Sequence, residues 1–330
     1  MFLPGSLTTV IHGIGTINMV SAIQPYFDVV FYSKSCEHLL YHFQFGGKLA
    51  IRSMPTWEDV DAGIELVEEA VSVDKSVLAF GGGSVIDVAK IVTRDANAKI
   101  LIAAPTISGS GSEVTRYAVL WDKKNKKKIS FSGNELFPHL AVVDPSIQLD
   151  VPVGQVAYSM LDTFSHAYEA YFHKDATSTV KNFSASAVSI LSTRFTQILH
   201  TRTGVDGMSL KSVLSTASLF AASAMSQTST HMCHSISYPL TTRFGVPHGL
   251  AAFITVPHLL KICSAETLNG EFGVYRELDF FKIKYRLSEF GVKYEDIYDI
   301  VEEAFDYGKM DRCVVKVTKD GLIEALKERL

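Results

Sequence analysis

Along the first 150 residues, short apolar runs alternate with stretches of helical spacing. The runs Asp28–Ser33, Lys48–Ser53, Ser76–Gly81 and Lys99–Thr106 are rich in Val, Ile, Leu or Ala and end in polar or turn residues. They predict buried strands. Between the second and third, Thr56–Val71 places Val60, Ile64, Leu66 and Val67 at near-helical spacing behind a Thr56/Asp59 capping box. Arg116–Gly133 reads as two apolar runs joined by a lysine-rich turn, and His139–Pro145 as a last strand. Strand–helix alternation of this kind predicts a parallel sheet with helices on both faces.

From Gln155 the strand pattern stops. Gln155–Phe172, Ser178–Leu199 and Leu210–Met225 carry helical periodicity with many small residues suited to close helix packing. The expected organisation is therefore an α/β domain over residues 1–154, Rossmann-like, and an all-α domain over residues 155–330.

Composition narrows the class. Hydrophobic residues make up 47% and charged residues 20%, as in a packed globular enzyme. A net charge of −4 argues against a general nucleic-acid binder, which needs a basic face. The four cysteines are scattered without a CxxC pair, which suits free thiols in a reducing compartment. The N-terminus has no signal-peptide pattern and no apolar run is long enough for a membrane span, so a cytoplasmic protein is expected.

Two turns carry the first chemistry. The strand ending at Gly81 runs into Gly82, Gly83 and Ser84 before a helix, where close backbone approach and free N–H groups favour an anion. The strand ending near Thr106 leads into a second turn with Ser108, Gly109, Ser110, Gly111 and Ser112. Both turns lie at the carboxyl ends of parallel strands, where open α/β sheets bind nucleotides. Gly81, Gly82, Gly83 and Ser84 are the expected diphosphate contacts, closed over by Thr106 and Ser110, with Asp87 capping or orienting the loop. The lysine-rich turn, including Lys128, is either an anion patch contributing to the cofactor site or a solvated hairpin tip.

The second half supplies metal donors. Asp162 and His166 stand at i and i+4 on one helix face, with Glu169 three residues further along it. Asp162 and His166 together with His234 and His248 make one carboxylate and three imidazoles. That set suits Fe²⁺ or Zn²⁺ with a coordination position left for substrate.

The runs GGGSVIDVAK, PTISGSGSE, LDTFSHAYEAY and HSISYPLTTRFGVPHG together resemble the iron-containing (group III) alcohol dehydrogenases, in that family's order. The resemblance implies a dinucleotide-binding domain, a helical domain, and a metal between them held by Asp162, His166, His234 and His248. It implies NAD(P)H as hydride donor, a small aldehyde or alcohol as substrate, and a homodimer.

Departures from the family pattern are specific. Tyr238 stands where the family often has a further histidine in its proton relay, four residues after the third ligand. The end of the second strand offers Ser33 and Lys34 instead of an acidic residue; Lys34 is either a solvated loop lysine or a residue that tolerates or attracts a 2′-phosphate, which would lean toward NADPH. The region before Lys48 is short for the family. Within the family, the runs after the second glycine turn and around His234 look most like the branch that reduces phosphonoacetaldehyde to 2-hydroxyethylphosphonate. A dianionic tail needs cationic donors, for which Arg243, Arg116 and His231 are the candidates. A general primary-alcohol dehydrogenase, a non-redox lyase of the related dehydroquinate synthase architecture, and a non-catalytic binding protein are the alternatives.

Overall fold

The computed structural model describes residues 3–125, 127–148, 151–201, 203–265 and 273–330. Its chain divides into two compact units, Met1–Val151 with Arg202–Ser215, and Pro152–Thr201 with Thr216–Leu330.

In the first unit, β1 (Thr9–His12), β2 (Tyr26–Tyr32), β3 (Gln44–Ala50), β4 (Ser76–Gly81), β5 (Ile100–Pro105) and β8 (Leu140–Val143) form one parallel sheet in the order β1-β8-β5-β4-β2-β3. Alternation along the strands divides the core. Val77, Ala79, Leu101 and Ala103 pack with α2 (Trp57–Glu69) and α3 (Gly83–Asp95). Leu78, Phe80, Ile102 and Ala104 pack with Ile17 and Val20 of α1 (Thr16–Ile23) on the other face. The capping box forms as the spacing predicts, Thr56 N donating to Asp59 Oδ2 at 2.8 Å. The lysine-rich segment is a hairpin, β6 (Tyr117–Asp122) antiparallel to β7 (Lys127–Ser132). Lys126 of its turn and Leu149–Asp150 of the expected linker lie outside the described residues.

β1 and α1 have no counterpart in the sequence reading. The run TTVIHGIGTINM interleaves glycines and polar residues too closely for either periodicity to stand out. The segment Arg202–Ser215, expected with the helical half, groups with the first unit. A buried polar contact explains this: Ser215 Oγ lies 2.8 Å from Ser108 Oγ, and both hydroxyls donate to Gln148 Oε1.

The second unit is helical among the described residues. It contains α4 (Val153–Tyr171), α5 (Ser178–His200), most of the second half of α6 (Gly204–Thr228), α7 (Met232–Phe244), α8 (His248–Phe253), α9 (Val256–Ile262), α10 (Val274–Phe280), α11 (Asp296–Ala304), α12 (Tyr307–Met310) and α13 (Lys319–Lys327). Residues of α4 from Met160 to Ala170 are all buried, so it is a core helix. Among the described residues no helix is long and apolar enough to cross a membrane.

Candidate metal centre and nucleotide cradle

Three helices carry the metal donors. Asp162 and His166 lie one turn apart on α4, His234 in the first turn of α7, and His248 at the first residue of α8. The spacing between the last two has a local cause. Gly245, in the left-handed conformation (φ 67°), ends α7 with N–H bonds from Gly245 to Thr241 O and from Val246 to Leu240 O, and Pro247 precedes α8. Gly249 then lets α8 lie against α4: a Cβ there would stand 1.9 Å from Tyr158 O and 3.0 Å from Asp162 Cβ.

The geometry converges on one oxygen. Asp162 Oδ1 is 3.4 Å from His234 Nε2 and 4.0 Å from both His166 Nε2 and His248 Nε2. Asp162, His166 and His234 are buried, and their ligand atoms lie within 4.8 Å of one another. The His248 side chain is 32% exposed and forms the open side. Asp162 Oδ1 and His234 Nε2 are buried with no hydrogen-bond partner, which is costly unless a cation fills the space among them. The four residues therefore fit a divalent ion of the kind nitrogen and oxygen donors select.

Glu169 orients this site, and the sequence reading gave it no role. Buried at the far end of α4's ligand face, it accepts from the backbone N–H groups of His231 (3.0 Å) and Cys233 (2.7 Å), and binds His234 Nδ1. One carboxylate thus caps α7 and fixes the His234 ring, turning Nε2 toward Asp162. Burial alone would raise both carboxyls. The imidazoles beside Asp162 outweigh it and hold that acid far below its usual range. His234, His231 and their hydrogen bonds bring Glu169 to about 2. The second orienting contact is Ser237 Oγ, 3.3 Å from His248 Nδ1. The i, i+3 spacing of His166 and Glu169 was a readable sign of a shared face; the α7 amides it caps were not.

Of the expected anion donors, two are engaged elsewhere. Arg243 reaches Glu303 Oε2 (3.4 Å) and Asp296 Oδ1 (3.9 Å) on α11, so its charge is already met by carboxylates. His231 is completely buried, with Nε2 3.0 Å from Glu169 O, and belongs to the cap of α7. Arg116 is partly buried with its Nε unbonded and its guanidinium 5.6 Å over the Tyr117 ring. Tyr238, one turn after His234, carries the Lys309 ammonium 4.6 Å above its ring.

In the first unit the two turns meet. β4 and β5 are adjacent, Gly81 opposite Pro105, and Thr106 N donates to Gly81 O at 3.1 Å. Ser110 stands over Gly83: a Cβ on Gly83 would lie 2.7 Å from Ser110 Oγ. A Cβ on Gly81 would be 2.6 Å from Ser33 Oγ, so Ser33 borders the same turn. Ser84 is partly exposed in the first turn of α3.

Asp87 grips the exit of the second turn, accepting from Ser112 Oγ (2.5 Å) and Val119 N (3.0 Å); burial raises its carboxyl. Lys90, absent from the sequence reading, is fully buried and donates to Thr115 O (2.9 Å) and Tyr117 O (2.7 Å). One helix face thus ties both turns together. Lys34 is exposed and paired with Glu37 at 2.5 Å, which Lys48 also reaches at 2.7 Å. An acidic residue therefore does follow β2, five positions after its end, and Lys34 is bound to it. Lys128 lies 5.7 Å over the Trp121 ring, opposite it in the hairpin.

Comparison with known proteins identifies the family. Residues 38–145 match the family model for iron-containing alcohol dehydrogenase, and residues 156–270 match the model for the C-terminal part of that family. A 1-propanol dehydrogenase of Citrobacter freundii is 32% identical over 189 residues, 56% of this chain and 50% of that protein. A phosphonoacetaldehyde reductase of Streptomyces viridochromogenes is 28% identical over 237 residues, 64% of this chain and 59% of that protein. The matched stretches thus span between half and three fifths of these relatives. Among solved structures, a sulfoacetaldehyde reductase from Bifidobacterium kashiwanohense in complex with NAD⁺ superposes with a TM-score of 0.85 at 21% identity, over 100% of this chain and 99% of that one. With both family models matched in order, one over the cradle and one over the histidine-bearing helices, the chain belongs to the iron-containing alcohol dehydrogenase family.

Proposed function

We propose that the protein is a metal-dependent alcohol dehydrogenase acting as an aldehyde reductase: aldehyde, NAD(P)H and a proton give alcohol and NAD(P)⁺. The observation that carries this reading is the convergence of three imidazole nitrogens on the unbonded Asp162 Oδ1. A bound divalent cation would supply Lewis acidity toward the carbonyl oxygen, and a bound nicotinamide the hydride. The chain's own residues do the positioning. Asp162, His166, His234 and His248 hold the cation, and Glu169 and Ser237 fix two of the rings. Gly82, Gly83 and Ser84 at the start of α3, with Ser110 packed against Gly83, would receive the diphosphate. The finer reading is a small aldehyde with an anionic tail, phosphonoacetaldehyde first, supported by the likeness to the Streptomyces reductase.

The test is metal analysis joined to NADH and NADPH oxidation at 340 nm. Wild-type protein should hold one divalent ion per chain and reduce a small aldehyde. His248→Ala should lose both metal and activity; full occupancy in that variant would remove His248 from the ligand set.

A further inference from the structure

We infer that Lys309 is the specificity-determining cation of the substrate site, and that the site takes a small aldehyde carrying a phosphonate, sulfonate or carboxylate. This rests on the reductase reading above and names the substrate class for that same site.

His234 and Tyr238 lie at i and i+4 of α7, so they share a face and their Cα atoms rise about 6 Å apart along the axis. Lys309, on α12, places its ammonium 4.6 Å above the Tyr238 ring, and the residue is half-buried. It forms no ion pair among the described residues. Asp306, three residues before it, uses Oδ1 to accept the Lys309 backbone N–H at 2.9 Å and so caps α12. A half-buried ammonium resting on an aromatic face without a carboxylate is incompletely neutralised. An anion completes it.

The contrast with Arg243 sharpens the assignment. At the C-terminal end of the same helix, α11 meets the guanidinium with Asp296 and Glu303. Beside Tyr238, midway along the helix and one turn past His234, the Lys309 ammonium meets no carboxylate among the described residues. Tyr238 also gives Lys309 its platform: an imidazole, once protonated, would repel the ammonium, whereas the phenol ring attracts it.

The experiment measures kcat/KM for phosphonoacetaldehyde, sulfoacetaldehyde, succinic semialdehyde and propanal with wild-type, Lys309→Met and Lys309→Arg. Wild-type enzyme should favour an anionic aldehyde. Lys309→Met should lower the anionic-to-neutral ratio at least about tenfold, mainly through KM, and Lys309→Arg should restore most of it. Ethylphosphonate should compete with propanal in the wild type and bind about tenfold more weakly to Lys309→Met, provided metal content and melting temperature confirm that the variant folds. Should Lys309→Met misfold, Tyr238→Leu, which removes the platform, should lower the same ratio. An unchanged ratio in a folded Lys309→Met protein overturns the assignment. A wild type that reduces propanal but no anionic aldehyde overturns the substrate class and leaves the reductase. No oxidation of either nicotinamide with any aldehyde removes the reading beneath both.

Discussion

At the scale of single residues, the candidate metal centre depends on a side chain outside the donor set. Glu169 caps α7 and holds His234 Nδ1, so Glu169→Gln keeps the shape but weakens both duties. Metal affinity should fall roughly 10–100-fold, read by chelator competition, with smaller effects on the fold. Retained affinity would reduce Glu169 to a helix cap. The four candidate donors that the structure brings together were legible because an i, i+4 Asp/His pair and two histidines flanking a helix-ending glycine leave a pattern in one dimension. Arg243 was not. Its partners Asp296 and Glu303 lie on a helix far along the chain, and nothing near Arg243 announces them. Lys309 leaves no such pattern for the same reason: its ring partner is remote in sequence.

At the scale of elements, glycines set how closely the functional pieces approach. Gly249→Ala would drive a methyl into the Tyr158 carbonyl and prise α8 from α4. Stability should fall by about 1–3 kcal/mol and metal affinity should fall with it, because His248 moves away from Asp162. A denaturant titration beside metal analysis separates the two effects. Gly83→Val would collide with Ser110 across the two turns and should raise the cofactor KM steeply while metal content stays whole. An unchanged KM would make the first glycine run a plain turn. Strands β4 and β5 and the hairpin were legible because each is an apolar run bounded by turn residues. β1 and α1 were not, since their glycine-broken run fits neither period.

At the scale of the whole molecule, the buried charges beneath the cradle give stability a distinct pH signature. Burial raises Glu113 from 4.5 to about 7 and lowers Lys90 from 10.5 to about 8. Between pH 4.5 and 7 the folded chain holds the Glu113 proton that the unfolded chain has released, so its contribution declines as pH rises. Between pH 8 and 10.5 the unfolded chain holds the Lys90 proton that the folded chain has lost, and stability recovers. Glu113→Gln should therefore gain on the wild type by about 1–3 kcal/mol between pH 5 and pH 7.5, measured by urea midpoints. A constant gap would deny the shift. The convergence of α4, α7 and α8 on Asp162 Oδ1 has a mechanical consequence. A cation there is a removable cross-link between distant stretches of chain, and closing such loops narrows the unfolded ensemble. Chelation should loosen the three helices unequally. Amide exchange should quicken first in the short helix α8, then at the start of α7, and last in α4, whose packing persists without the ion. A protease cutting near Gly245 would then report the occupancy of the metal site.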